Sequence, residues 1–266
     1  MPFRTLALSA LAALCLSAPA PAASCGNSAA GFDAWKRDFA SEAARAGVGQ
    51  RGLAALGGTQ YSQATINADR GQKSFKLSYP EFCQKRGCDV IVSQGRSRKA
   101  RNPGFYAALE QGYGVPAGVL IAIHGMETGF GGFMGNANVL NATATLAYDC
   151  RRPGFFTPHL IGALKMIDRG MMSPAAIGAM HGELGHTQFL PGNALAYGRD
   201  GNGDGRIDLN DMADALASTA NYLRQKGWRP GQPYQPGSHN FEVLKEWNAA
   251  SVYQRALAEM GARIDG

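Results

Sequence analysis

"GVPAGVLIAIHGMETGFGGFMG", Gly114 to Gly135, carries a single carboxylate through a run of apolar residues and glycines. Pro116 fits the first turn of a helix, where its missing amide has no partner to lose. Leu120, Ile123 and Glu127 then recur at intervals of three and four, so Glu127 shares a face with apolar side chains. Gly129, Gly131 and Gly132 close the helix. Glu127 is the only acidic residue between Glu110 and Asp149. A carboxylate on such a face is costly as an anion unless paired, and desolvation raises its pKa. That suits a general acid held protonated near neutral pH. The plainer reading is a buried glutamate tied to a backbone or arginine partner.

Helical spacing recurs on both sides of this run. Phe32, Trp35, Phe39 and Ala43 predict an amphipathic helix near the start. "PHLIGALKMIDRG" has Leu160, Leu164 and Ile167 in step, with Gly170 as C-cap. "DALASTANYLRQKG" keeps Leu216, Ala220 and Leu223 in step and stops at Gly227, and a last helix carries Tyr253, Leu257, Met260 and Ile264. Residues 57–104, rich in Gly, Ser, Lys and Arg, read as an irregular, partly extended surface segment. Within it "CDVIVSQG", Cys88 to Gly95, is the clearest strand signal of the chain. No internal repeat is visible, and the fold class is mainly α.

The first residues read as a secretory signal. Arg4 supplies the positive end, Leu6 to Leu16 the apolar stretch and Ala20-Pro21-Ala22 a small-residue cleavage site, giving a signal peptide over 1–23. No other stretch approaches the roughly 18 apolar residues of a membrane span. Loss of Arg4 lowers the net charge from +6 to +5, a mild excess compatible with a polyanionic partner such as cell wall. The mature chain keeps Cys25, Cys83, Cys88 and Cys150, an even count that outside the cytosol favours disulfides. The short loop favours Cys83 with Cys88, which leaves Cys25 for Cys150. Zinc lacks any supporting CxxC or paired-histidine spacing. Cys25 near the cleavage region raises lipidation as an alternative, although Ala22-Ala23-Ser24 is a poor lipoprotein signal.

"DGNGDGRIDLND", Asp200 to Asp211, matches a calcium-loop template. Asp200, Asn202 and Asp204 stand at positions one, three and five, Gly205 at the sharp turn, Arg206 offers a carbonyl at seven, and Asp208 stands at nine. Asp211 replaces the usual glutamate at twelve, and its shorter side chain reaches an ion less easily. The rival reading is a polar, turn-rich loop. Glu183, in "HGELGHTQFLPGN", is a second candidate acid, and His124, His181 and His186 accompany the two acids in sequence. A histidine so placed is more often a satisfied structural group than a catalyst. No serine–histidine–aspartate context and no phosphate loop is present, and no organic cofactor is expected.

Taken in order, "YGVPAGVLIAIHGMETGFGGFMGNANVLNATATLAYDCRR" (Tyr113 to Arg152), "GELGHTQFLPGNALAYGRDGNGDGRIDLNDMADALASTANYLRQKGW" (Gly182 to Trp228) and the tail "LKEWNAASVYQRALAEMGARI" resemble membrane-bound lytic transglycosylase B and its soluble relatives. That resemblance implies a lysozyme-like transglycosylase fold with a small EF-hand-like calcium loop. It implies a periplasmic, monomeric enzyme that cleaves peptidoglycan glycan strands and binds no nucleic acid. Glu127 matches the family's sole catalytic acid. Arg151 and Arg152 match its arginine pair in the glycan and peptide groove. Gln188 and Phe189 match its Gln-Phe-x-Pro stretch, Tyr222 its Asn-Tyr, and Tyr253 a tail tyrosine lining the groove. Asp200, Asn202, Asp204, Arg206 and Asp211 match its structural calcium loop. The implied layout is a catalytic unit over 24–266. It comprises an N-terminal part (31–112), the catalytic core (113–194), the calcium loop with its following helix (195–227) and a C-terminal segment (228–266). The chain departs from the family at Gly129-Phe130, where arginine and tryptophan are common, at Ala179, a serine in some members, and at Gly192-Asn193, usually Ser-Ser. Two other outcomes remain open: a lysozyme-like muramidase using Glu183 or a nearby aspartate, and a non-catalytic wall-binding protein.

Overall fold

The computed structural model describes residues 23–71 and 77–266, so the signal-peptide expectation lies almost wholly outside the described residues. A 3-10 turn, Ala29–Gly31, leads into α1 (Phe32–Arg45), α2 (Gln50–Gly57), α3 (Gln63–Gly71), α4 (Tyr79–Arg86), α5 (Cys88–Arg101) and α6 (Pro103–Tyr113). The central helix α7 (Ala117–Thr128) is followed by β1 (Ala137–Asn138), α8 (Val139–Tyr148), α9 (Pro153–Asp168), β2 (Ile177–Gly178) and α10 (Pro191–Tyr197). The chain closes with α11 (Met212–Gln225), α12 (His239–Trp247) and α13 (Ser251–Asp265). The two short strands pair antiparallel, Ala137 with Gly178 and Asn138 with Ile177.

Around α7 the packing explains its composition. α13, α5, α6 and α11 all pack against it. Every residue from Ala117 to Met126 is buried, and a helix that is apolar all round is a core helix. Pro116 stands at the N-cap rather than inside the first turn, and Gly129 ends the helix in the left-handed conformation at φ 58°. The other periodicities hold: Phe32, Trp35, Phe39 and Ala43 are buried on α1, and Tyr253, Leu257, Met260 and Ile264 on α13.

The expectation for residues 57–104 is corrected. α3, α4 and α5 occupy most of it, and "CDVIVSQG" is the first half of a helix, not a strand. Ser78 and Glu81 form a capping box that starts α4, and Gly87 at φ 71° both ends α4 and opens α5. Cys88, Ile91, Val92 and Gly95 are the buried positions of α5, spaced by three and four, while Val90 faces solvent. Packing against α7 and α13 outweighs the β preference of the Val-Ile-Val run. Disulfides join Cys83 to Cys88 and Cys25 to Cys150, as expected. Among the described residues no helix is long and apolar enough to cross a membrane.

Candidate active site

Glu127 lies on the last turn of α7, half-buried, where the helix meets two adjoining hollows. One is a cavity of about 700 Å³ lined by Glu127, Ala68, Lys85, Phe133, Asn136 and Gln188 among others. The second, of about 320 Å³, is lined by Glu127, Glu183, Gln188, Asn193, Trp247 and Asn248 with their neighbours. Ala179, His181 and Gln188 belong to both, so the acid stands at the junction of one groove.

Two donors reach the same carboxylate oxygen. Tyr253 Oη donates to Glu127 Oε1 at 2.5 Å, and Trp247 Nε1 donates to it at 3.0 Å. Burial pushes the Glu127 pKa up, and the two hydrogen bonds with the Arg86 charge pull it down. The net direction is upward, with Glu183 adding a smaller push the same way. Such a group holds its proton above the usual carboxylate range and still has donors ready for its anion. Tyr253 itself, buried and facing the carboxylate, is held well above its ordinary pKa and remains a donor.

Phe189, Tyr222 and Trp247 form an edge-to-face cluster behind the acid, with ring centroids 5.3–6.0 Å apart. Tyr222 Oη donates to the Glu246 carbonyl at 2.6 Å. Phe189, Tyr222 and Tyr253 are buried, so they shape the wall more than they present open surface. Gln188 sits at φ 56°, one of two non-glycine residues in the left-handed region among those described. Its Nε2 donates to the Gly185 carbonyl at 2.7 Å, and the Leu184–Phe189 bridge tightens the turn around it.

Arg151 and Arg152 do not line either hollow. Both guanidinium groups bond the same oxygen of Asp69, Arg152 at 2.7 Å, and Arg70 joins Asp69 to Asp149. Burial pushes Asp69 up, but the two arginine hydrogen bonds and charges outweigh it and hold the carboxyl below its ordinary value. Asp69 lies on α3 between Ala68 and Gly71, which do line the larger hollow, so the cluster borders the groove.

Asp200, Asn202 and Asp204 turn their oxygens inward onto loop amides: Asp200 accepts from Gly203 and Gly205, Asn202 from Asp204, and Asp204 from Arg206. Asp211 is engaged otherwise: it caps α11 by accepting from the amides of Ala213 and Asp214. The carboxylate inside the loop belongs to Asp214, which accepts from Gly201, Asn202 and Asp208. All donors in the loop are oxygen, which fits a hard cation. Among the described residues no group of three or more His, Cys, Asp or Glu is gathered as a metal cage.

Trp247, Arg86 and Asp69 were not evident from sequence. Trp247 precedes the break between α12 and α13, six residues before Tyr253, and only their folding onto α7 brings both to one oxygen.

The architecture and the groove define a lysozyme-like helical domain with Glu127 at the junction of its two hollows. A family model described as Transglycosylase SLT domain matches residues 31–238, and the chain belongs to that family. The membrane-bound lytic murein transglycosylase B of Escherichia coli K12 is 38% identical over 123 residues, 46% of this chain and 34% of that one. That alignment therefore spans about a third of the curated relative. SltB3 of Pseudomonas aeruginosa, solved with NAG-anhNAM-pentapeptide, superposes with a TM-score of 0.79 at 28% identity, over 88% of this chain and 80% of that one. Escherichia coli Slt35, solved with calcium, gives 0.74 at 22% identity over 86% and 92%, a likeness of fold.

Proposed function

We propose that this protein is a peptidoglycan lytic transglycosylase in which Glu127 acts as acid and then as base. The carrying observation is a carboxyl at the junction of a two-sided groove, its pKa raised by burial, with Tyr253 and Trp247 poised on the oxygen that becomes anionic. Glu127 gives its proton to the oxygen linking N-acetylmuramic acid to N-acetylglucosamine. The substrate's own acetamido carbonyl stabilises the anomeric carbon, a substrate-assisted course. The carboxylate, now held by Tyr253 and Trp247, takes the proton of the muramoyl 6-hydroxyl. That oxygen closes the 1,6-anhydro ring, and the acid is regenerated. Gln188 and the aromatic wall of Phe189 and Tyr222 hold the glycan, and Arg151 and Arg152 at the groove border meet peptide carboxylates. The peptidoglycan fragment bound by SltB3 supports this substrate class. Release of soluble muropeptides from sacculi by the mature protein tests the reading, and intact sacculi after prolonged incubation count against it.

A second reading has one observation in its favour. Glu183 lines the same hollow as Glu127, so a water could be activated there and give hydrolysis. Reducing-end products that vanish in Glu183→Gln would establish that course; anhydro ends unaffected by the substitution remove it.

On the proposed reading 24–266 is one monomeric unit, with the core over 113–194 flanked by 31–112, 195–227 and 228–266. Secretion into the periplasm follows from the leader over 1–23. The Cys25–Cys150 disulfide supports a lipid-free Cys25 over lipidation there. Calcium, present in the Slt35 structure, would be held here by Asp200, Asn202, Asp204 and the Arg206 carbonyl, with Asp214 in place of Asp211 as the inner carboxylate. It supplies no step of the reaction. At a metal concentration about a hundred times Kd, chelation is expected to lower Tm by about 5–10 °C. Activity at low temperature should change less. A melting curve indifferent to both calcium and chelator would contradict the metal assignment.

A further inference from the structure

Beside the groove, the end of α7 holds a histidine pair to which the reaction assigns no step. His124 Nε2 and His186 Nδ1 lie 2.9 Å apart. The buried Nδ1 of His124 has no partner, so a proton there would be an orphaned donor. The arrangement that avoids it has His124 donating from Nε2, with His186 accepting through Nδ1 and carrying its own proton on Nε2.

The backbone of His186 is tied as firmly. Its amide donates to the Leu209 carbonyl at 2.9 Å, and its carbonyl accepts from Thr128 Oγ1 at 2.7 Å. Thr128 in turn accepts from the Gly131 amide at 2.9 Å. A Cβ at Gly131 would lie 2.4 Å from the His186 ring, and Gly131 sits at φ 84°, so only glycine lets the ring approach. One residue thus joins the end of α7, the turn after it, the 200–211 loop and the turn that carries Gln188. Thr128 adjoins Glu127, His124 lies one helical turn before it, and Gln188 is two residues beyond His186.

We propose that His186 is a positioning residue, which through His124 and Thr128 fixes the distance between Glu127 and Gln188 so that both face one glycan. This rests on the transglycosylase reading above. Misplacement of a catalytic group by about 1 Å costs on the order of a hundredfold in rate, so a loosened pair should cost about tenfold. In the mature protein His186→Leu keeps the bulk and removes the ring hydrogen bond to His124. His186→Gln keeps an acceptor toward His124. The expected result on sacculi is a kcat about tenfold lower for His186→Leu and within about threefold of wild type for His186→Gln. A wild-type kcat in His186→Leu, or equal losses in both variants, overturns the proposal. Long-range proton–nitrogen NMR of the wild-type imidazoles reads the pair without turnover. Protonated Nε2 with bare Nδ1 on both rings is expected, and an Nδ1–H tautomer on either ring refutes it. A wild type that forms no anhydro ends would defeat the activity reading instead, leaving the NMR result to judge the pair.

Discussion

Glu127→Gln is expected to lower sacculus cleavage by about 10³-fold or more, with binding to sacculi retained. General acid–base catalysis alone is worth about 10²–10⁴-fold, and one group here supplies both the acid and the base. The amide keeps an oxygen to accept from Tyr253 and Trp247, so the wall around it stays in place. Stability should not fall. Glu127 has a folded-state pKa raised above its unfolded value, so its contribution is present below the unfolded pKa and lost as pH rises through the folded one. Glutamine removes that loss. Tm of the variant should equal or exceed that of wild type near pH 7, with the difference vanishing toward pH 4. Cleavage at wild-type rate would remove Glu127 from the mechanism, whatever the fold.

Tyr253→Phe should lower kcat on the order of 10–100-fold, the value of one hydrogen bond to a charged group lost as the carboxylate forms. The pH profile carries the sharper test. Cleavage requires protonated Glu127, so the rate falls as pH rises through its raised pKa. The Tyr253 hydrogen bond pulls that pKa down, and its loss should move the falling limb to higher pH while the maximum drops. A tyrosine that served only as packing would leave the limb in place. Trp247→Phe should shift it in the same direction by less, since its contact is longer.

These residues differ in how legible they were. Glu127 stood out because local spacing alone sets it on an apolar helix, and α1, α9, α11 and α13 were visible through the same period. α5 was hidden because its buried residues, Cys88, Ile91, Val92 and Gly95, include a β-branched pair beside the exposed Val90. Read for spacing instead of residue preference, the segment is helical. Trp247 was hidden for another reason: it reaches Glu127 across 120 residues, through a fold no local pattern encodes. Asp69, which holds Arg151 and Arg152 from 82 and 83 residues away, is the same case. Asp211 fits the loop template by position, yet a helix begins directly after it, and the N-cap takes its carboxylate.

The most direct test of the single-acid account is mass spectrometry of muropeptides released from sacculi by the mature protein in ¹⁸O-water. Intramolecular closure by the muramoyl 6-hydroxyl predicts 1,6-anhydro ends without heavy oxygen, formed by wild type and not by Glu127→Gln. Reducing ends carrying ¹⁸O would contradict it and place a water, with Glu183 beside it, at the centre of the reaction.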